Sequence, residues 1–161
     1  MAVDYSRCYH QGVRVPDLDA AMAELGPALG ITWCEPQQRE QPVWLPGEGP
    51  ATLPLRFTYS AEGPQRVELL EGPPGSIWDG REQPGLHHVG LWSDDVGGET
   101  QRLIDAGWTL RIAQMSPEEG YGAFTYVQPP SGILVELVWS ALEPMFQRWF
   151  DGGPLGTDRA A

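Results

Sequence analysis

Two histidines and two glutamates recur in matching surroundings along this chain, and together they make the donor set for one divalent cation. The pattern His-x-Gly-apolar-x-x-x-Asp-apolar is met at His88, Gly90, Leu91, Asp95 and Val96, and again at His10, Gly12, Val13, Asp17 and Leu18. Behind the first copy comes Val67-Glu68-Leu69, and behind the second Val135-Glu136-Leu137. A carboxylate set between apolar strand residues is costly to bury unless it is paired or binds a cation. His10, Glu68, His88 and Glu136 are therefore the expected metal ligands. Two imidazoles and two carboxylates neutralise a divalent ion and leave room in its shell for water or a substrate oxygen. That suits Zn, Co, Ni, Mn or Fe(II) rather than a structural zinc site built on thiolates.

Such an ion polarises a carbonyl, acidifies the neighbouring C–H and stabilises the enolate that forms. A nearby carboxylate can remove the proton and return it. Glu136, Glu68 or both are the expected catalytic groups, each serving as ligand and displaceable base, while His10 and His88 anchor the ion. Taken singly, either histidine reads as a hydrogen-bonded core residue. The repeated spacing and the two glutamates turn that balance towards metal.

Strands must aim these side chains. Alternate residues of a strand face opposite sides, so His10, Gly12 and Arg14 share one face and Val13 and Val15 the other. His88, Gly90 and Trp92 likewise oppose Val89 and Leu91. Arg14 and Trp92 fall on the ligand face and, with Tyr126, are the candidate substrate contacts. His87 is expected on the opposite face, in a structural role.

The first strand ends at Pro16, and Asp17 caps a helix carrying Leu18, Ala21, Met22, Leu25 and Leu29 as far as Gly30. Residues 31–34 read as a short strand, 35–41 as a polar connection, and 43–45, 53–59 and 66–70 as strands. The order restarts with a strand at 86–92. Asp94 or Asp95 caps a second helix that Gly107 closes, and strands follow at 108–113, 122–127 and 133–139. The economical description is an α+β chain with a duplicated βαβββ unit, its modules at 1–71 and 85–139. Residues 72–84, with Pro73, Pro74, Gly75 and Gly80, form the connector and are expected to be a plain spacer. Ser140 to Glu143 matches a capping box for a C-terminal helix over 140–150. Its stripe of Leu142, Met145, Phe146, Trp149 and Phe150 is expected to pack on its own sheet, a homodimer contact or a lid being the alternatives. Residues 151–161 read as a mobile tail.

With 161 residues, the chain is long enough for one sizeable core. Ten basic against 22 acidic residues give a net charge of −12, which disfavours nucleic acid and anionic membranes; the small-molecule substrate expected as partner follows from the donor set and its carbonyl chemistry. Cys8 and Cys34 show no metal or disulfide spacing and are expected to be reduced. The first ten residues include Asp4 and Arg7 and no apolar run, so neither a signal peptide nor a membrane span is expected, and the cytoplasm is the default compartment.

The segments YHQGVRVPDLDAA, RVELLEG, GLHHVGLWSDDV and SGILVELVW resemble the vicinal oxygen chelate superfamily, which includes glyoxalase I, methylmalonyl-CoA epimerase, extradiol dioxygenases and bleomycin-resistance proteins. The resemblance implies paired βαβββ modules forming an open, cup-shaped mixed β-sheet around a divalent ion. It places that ion on His10, Glu68, His88 and Glu136. GLHHVGLWSDDV and VELLEG are most similar to the methylmalonyl-CoA epimerase branch, and no glutathione-binding arginine pattern of glyoxalase I is present. The last turn departs from the family's Asp-Pro-Asp-Gly, reading Pro129-Pro130-Ser131-Gly132. The resemblance implies a metal-dependent isomerase, epimerase or lyase acting on a small carbonyl or acyl-thioester compound through an enolate. The alternatives are an extradiol-type dioxygenase, against which the filled Glu68 position argues, and a non-catalytic binding or resistance protein.

Overall fold

The aspartates of the repeated pattern start the two helices that flank the sheet. In the computed structural model, which describes residues 2–156, the Asp17 carboxylate accepts from the Ala20 amide at 2.8 Å and caps α1 (Leu18–Leu29). Asp95, not Asp94, accepts from the Gly98 amide at 2.9 Å and caps α2 (Val96–Asp105). Gly30 ends α1 in the left-handed region at φ 68°. No helix among the described residues is long and apolar enough to cross a membrane.

Eight strands complete the order: β1 (Cys8–Arg14), β2 (Gln37–Leu45), β3 (Gly49–Tyr59) and β4 (Arg66–Glu71) surround α1 in sequence. β5 (Gly85–Ser93), β6 (Thr109–Ala113), β7 (Phe124–Gln128) and β8 (Val135–Trp139) do the same for α2. Their spatial order is β1-β4-β3-β2-β6-β7-β8-β5, closing on itself as a barrel. The halves meet along an antiparallel β1–β5 seam, and again where Trp44 of β2 pairs with Ala113 of β6. The expected open cup is therefore corrected to a closed ring. The closing contact falls in the expected strand at 43–45, through Trp44, while β2 also runs back into residues read as a polar connection, which pair with β3. Gln37, Arg39 and Gln41 are half-buried there, while Gln38 and Glu40 are exposed. Residues 31–34 contribute only an isolated bridge, Trp33 to Ser60.

The sheet separates two kinds of core. On its outer face, Leu18 and Ala21 of α1 pack with Val15 and Leu69, and Val96 of α2 packs with Leu91 and Leu137. The inner core is rich in aromatic rings, among them Tyr9, Phe57, Tyr59, Trp92 and Tyr126. α3 (Glu143–Phe150) packs on this side, with the Trp149 ring 5.8 Å from Phe57 and 5.6 Å from Tyr59. A 3-10 turn, Ser140–Leu142, precedes it. The Ser140 hydroxyl bonds to Asp94 instead of capping α3. Leu155 is buried in the same core, so chain read as tail already belongs to the folded body. Residues 157–161 of that reading lie outside the described residues.

The connector is not a plain spacer. Trp78 is 1% exposed and its indole donates to the Tyr126 hydroxyl at 3.3 Å. A Cβ on Gly80 would lie 2.4 Å from the Val15 backbone, so the chain passes just beyond the end of β1 with no room for a side chain. Arg14 clamps this segment, donating to the Ile77 carbonyl at 3.2 Å and to Gln83 at 3.1 Å. Urea unfolding of Trp78→Ala should show a loss of about 3–5 kcal/mol, as for a large core aromatic. A solvent-facing linker residue would change stability by under about 0.5 kcal/mol.

Candidate metal centre

The glycines of the repeated pattern explain how the histidines meet. Across the β1–β5 seam His10 stands opposite Gly90, and Gly12 opposite His88. A Cβ on Gly90 would lie 1.8 Å from His10 Cε1, and one on Gly12 would lie 2.0 Å from His88 Cε1. Each imidazole therefore occupies the space over the other copy's glycine. The neighbouring strands bring the carboxylates to the same level, since Glu68 of β4 pairs with Gly12 and Glu136 of β8 pairs with Gly90.

The four tips converge. His10 Nε2 lies 2.8 Å from His88 Nε2, 3.3 Å from Glu68 Oε2 and 3.0 Å from Glu136 Oε2. His88 Nε2 lies 3.2 Å from Glu68 Oε2 and 3.3 Å from Glu136 Oε2. Both histidine side chains are fully buried, and the glutamates keep 7% and 11% of theirs exposed. Two imidazole nitrogens 2.8 Å apart cannot both turn a proton towards each other, so ordinary hydrogen bonds do not satisfy all four groups at once in this dry site. Buried Glu68 Oε2 has no hydrogen-bond partner. Donors held about 2.0–2.2 Å from a shared ion stand roughly 3 Å apart, which is the spacing here. The residues fit a divalent cation.

Without a cation, the four groups hold one another charged. Burial alone would push the imidazoles down, but the two carboxylates outweigh it and raise His10, and lift His88 to about 9. Burial would likewise raise both carboxyls, but the imidazoles hold Glu68 and Glu136 below the ordinary range.

His87 departs from its expected place. The β1–β5 register passes from Gly12–His88 to Val13–Leu86, which makes His87 the extra residue of a bulge. Its ring consequently stays on the ligand side, with Nδ1 3.0 Å from His88 Nδ1 and its centroid 5.6 Å from that of Tyr126. Burial, and after it the His88 and Arg14 charges, pushes its pKa down to about 3, so it is neutral. With His88 Nε2 turned to the cluster, the His88 proton belongs on Nδ1, and His87 accepts it and fixes the ring. A second bulge, between Cys8–Leu91 and His10–Gly90, brings Tyr9 inward to stack on Trp92 at 3.8 Å.

A cavity of about 1060 Å³ opens onto Glu68 and Glu136, lined also by Tyr9, Tyr59, Trp78 and Tyr126. Of the three expected substrate contacts, Tyr126 lies here, its ring 4.8 Å from that of His88. Trp92 and Arg14 do not line it. Trp92 is spent on stacking with Tyr9, and Arg14 on the connector. Sequence reasoning missed Trp78, Tyr59 and Arg39 in the lining. The alternation Leu55, Phe57, Tyr59 carried a signal for Tyr59. Nothing local marked Trp78.

The fold and the site define a paired-module barrel with a candidate centre for one divalent cation at the seam between modules. The sequence profile of the glyoxalase/bleomycin resistance protein/dioxygenase superfamily matches residues 9–126, and the chain belongs to that family, one of vicinal oxygen chelate proteins. Among solved structures it is similar to a Streptomyces coelicolor methylmalonyl-CoA epimerase variant in complex with 2-nitronate-propionyl-CoA, with 20% identity, 84% of this chain and 94% of that chain covered, and a TM-score of 0.57. Methylmalonyl-CoA epimerase from Mycobacterium tuberculosis matches at 18% identity, 85% and 91% coverage and a TM-score of 0.57. A triple variant of 4-hydroxymandelate synthase from Streptomyces coelicolor matches at 12% identity, 82% and 48% coverage and a TM-score of 0.55. At these identities the likeness is one of fold. No curated protein matches.

Replacing Gly12 or Gly90 by alanine should displace the facing imidazole and lower metal affinity at least tenfold to about a hundredfold, as losses around a first coordination shell do. Metal content per chain after dialysis, alongside an unchanged far-ultraviolet dichroism spectrum, checks this. The raised imidazoles predict a pH dependence as well. With His88 lifted to about 9, the metal-free site holds a proton at pH 7 that an incoming ion must expel. Apparent affinity should rise about tenfold per pH unit for each proton released, and the His88 contribution should level off above about 9. Calorimetric zinc titrations in two buffers of different ionisation enthalpy would count the protons.

Proposed function

We propose that this protein is a metal-dependent epimerase or isomerase, with a glyoxalase-type lyase as the related outcome, acting on a small carbonyl or acyl-thioester substrate by moving a proton next to the carbonyl. The observation that carries the reading is the convergence of His10, Glu68, His88 and Glu136 on one point beside a cavity that Glu68 and Glu136 line. A divalent ion held by these donors supplies Lewis acidity to a carbonyl oxygen, which lowers the pKa of the adjacent C–H.

The chain's own groups do the rest. His10 and His88, fully buried and braced by glycine and by His87, keep the donors at fixed separations. Glu68 and Glu136 approach the imidazoles through Oε2, which leaves Oε1 of each outside those contacts to take up or give back a proton. The two carboxylates come from opposite modules. A carbon held between them gives its proton to one and receives one from the other, which is epimerisation, whereas return by a single carboxylate to a neighbouring atom gives isomerisation. Burial, and then the charges of Glu136 and Glu68, keep the Tyr126 phenol well above its ordinary range, so it stands by as a neutral hydrogen-bond donor. Aromatic walls exclude water and lower the local dielectric, which strengthens each of these interactions.

Metal-loaded protein in deuterated water, given a panel of ketones and acyl thioesters, should exchange the proton next to the carbonyl, read by NMR. Glu136→Gln or Glu68→Gln should slow exchange by about 10²–10⁴-fold where that residue is the base. A complete lack of exchange across the panel, with compounds bound and released unchanged, would replace the enzymatic reading by a sequestering one.

A further inference from the structure

Within the cavity, aromatic rings lead from the four-donor cluster to a lone guanidinium. Tyr59 lies 5.1 Å from the His10 ring, Phe57 lies 6.4 Å from Tyr59, and the Arg39 guanidinium carbon sits 5.5 Å from the Phe57 centroid. Tyr59, Phe57 and Arg39 line the same cavity as Glu68 and Glu136, and Trp78, Tyr126 and Phe146 contribute further ring surface. Alternation along β3 places Phe57 and Tyr59 on one face, and the long β2 brings Arg39 beside them.

Arg39 is the one basic residue in that lining, and among the described residues it has no carboxylate partner. It lies over the Phe57 ring. Burial draws its pKa down with no carboxylate to offset the cost. The exposed charged residues of the lining are all acids: Glu40, Asp94, Asp95 and Glu119. Arg7 pairs with Asp94 at 2.8 Å and Arg102 approaches Asp95 at 3.6 Å, but among the described residues Glu40 and Glu119 have no such partner. A ligand in this cavity meets repulsion from these exposed carboxylates for each negative charge it carries, set against one half-buried cation.

We propose that the cavity takes an elongated apolar or aromatic carbonyl compound ending in a single negative charge, its carbonyl at the four-donor cluster and its anionic end at Arg39, and that its substrate is not a coenzyme A thioester. The placement of the carbonyl rests on the proton-transfer reading above; the assignment of Arg39 and of the charge does not. A planar guanidinium with free donors recognises a carboxylate by paired, charge-assisted hydrogen bonds. Several phosphates on one ligand would find a single guanidinium in the lining, and Glu40 and Glu119 without a cationic partner among the described residues.

Binding can be followed on zinc-loaded full-length protein through tryptophan fluorescence, since Trp78 lines the cavity. The probes are 6-phenylhexanoate, its primary amide and butyryl-CoA. The carboxylate should bind about tenfold more tightly than the amide, as one charge-assisted contact provides, and butyryl-CoA should bind least. Arg39→Gln should erase the difference while leaving the amide's affinity in place, and Arg39→Lys should retain part of it. The same preference should hold after the metal is stripped, which separates an anion on Arg39 from one on the ion. A preference that survives Arg39→Gln, equal binding of acid and amide, loss of amide binding in both Arg39 variants, or butyryl-CoA binding tightest would each overturn the proposal. Binding as expected without proton exchange would leave Arg39 in its role and remove the reaction instead.

Discussion

Everything in this molecule depends on two imidazoles and two glycines sharing space at the β1–β5 seam. His10 sits over Gly90 and His88 over Gly12, so the modules can come together in one register only. A slip by one residue would turn the ligands to the other face of the sheet and drive a side chain into each ring. Because Glu68 and Glu136 are paired with those glycines on the far sides, the same constraint sets the carboxylates. The seam is both the joint between the halves and the scaffold of the centre.

This arrangement places a cluster of acids and imidazoles in an aromatic interior, where isolated charges are expensive. The barrel compensates by matching them with one another, by the third histidine that orients His88, and by a donor spacing suited to a cation. The outer face is given over to aliphatic contacts with α1 and α2. The inner face receives two additions that are not part of the repeat. Trp78 from the connector and the aromatic stripe of α3 narrow the interior from different directions. They turn a barrel into a shaped cavity and break the symmetry between two otherwise matching halves.

Much of this was legible in the chain. The repeated pattern pointed to the two βαβββ runs, to the Asp17 cap, to Asp95 as one of two candidate caps, and to the four side chains that converge, because a strand's period of two and a helix's caps are local properties. The failures have a common physical cause. His87 lies on the ligand side because a bulge adds a residue to β5, and bulges depend on the partner strand rather than on the strand's own residues. Arg14 and Trp92 sit on the expected face, yet the connector and Tyr9 had already claimed them. Residues 35–41 looked like a loop because an edge-facing strand with polar side chains has no apolar alternation to reveal it.

By itself, the sequence determined the donor types, their pairing in duplicate, and the order of elements that carries them, since these rest on residue identity and short-range periodicity. The tertiary structure decided that the ring closes, that the connector enters it, and that a single arginine faces the cavity. Those outcomes depend on contacts between segments far apart in the chain, where packing and desolvation, rather than local propensity, select the arrangement.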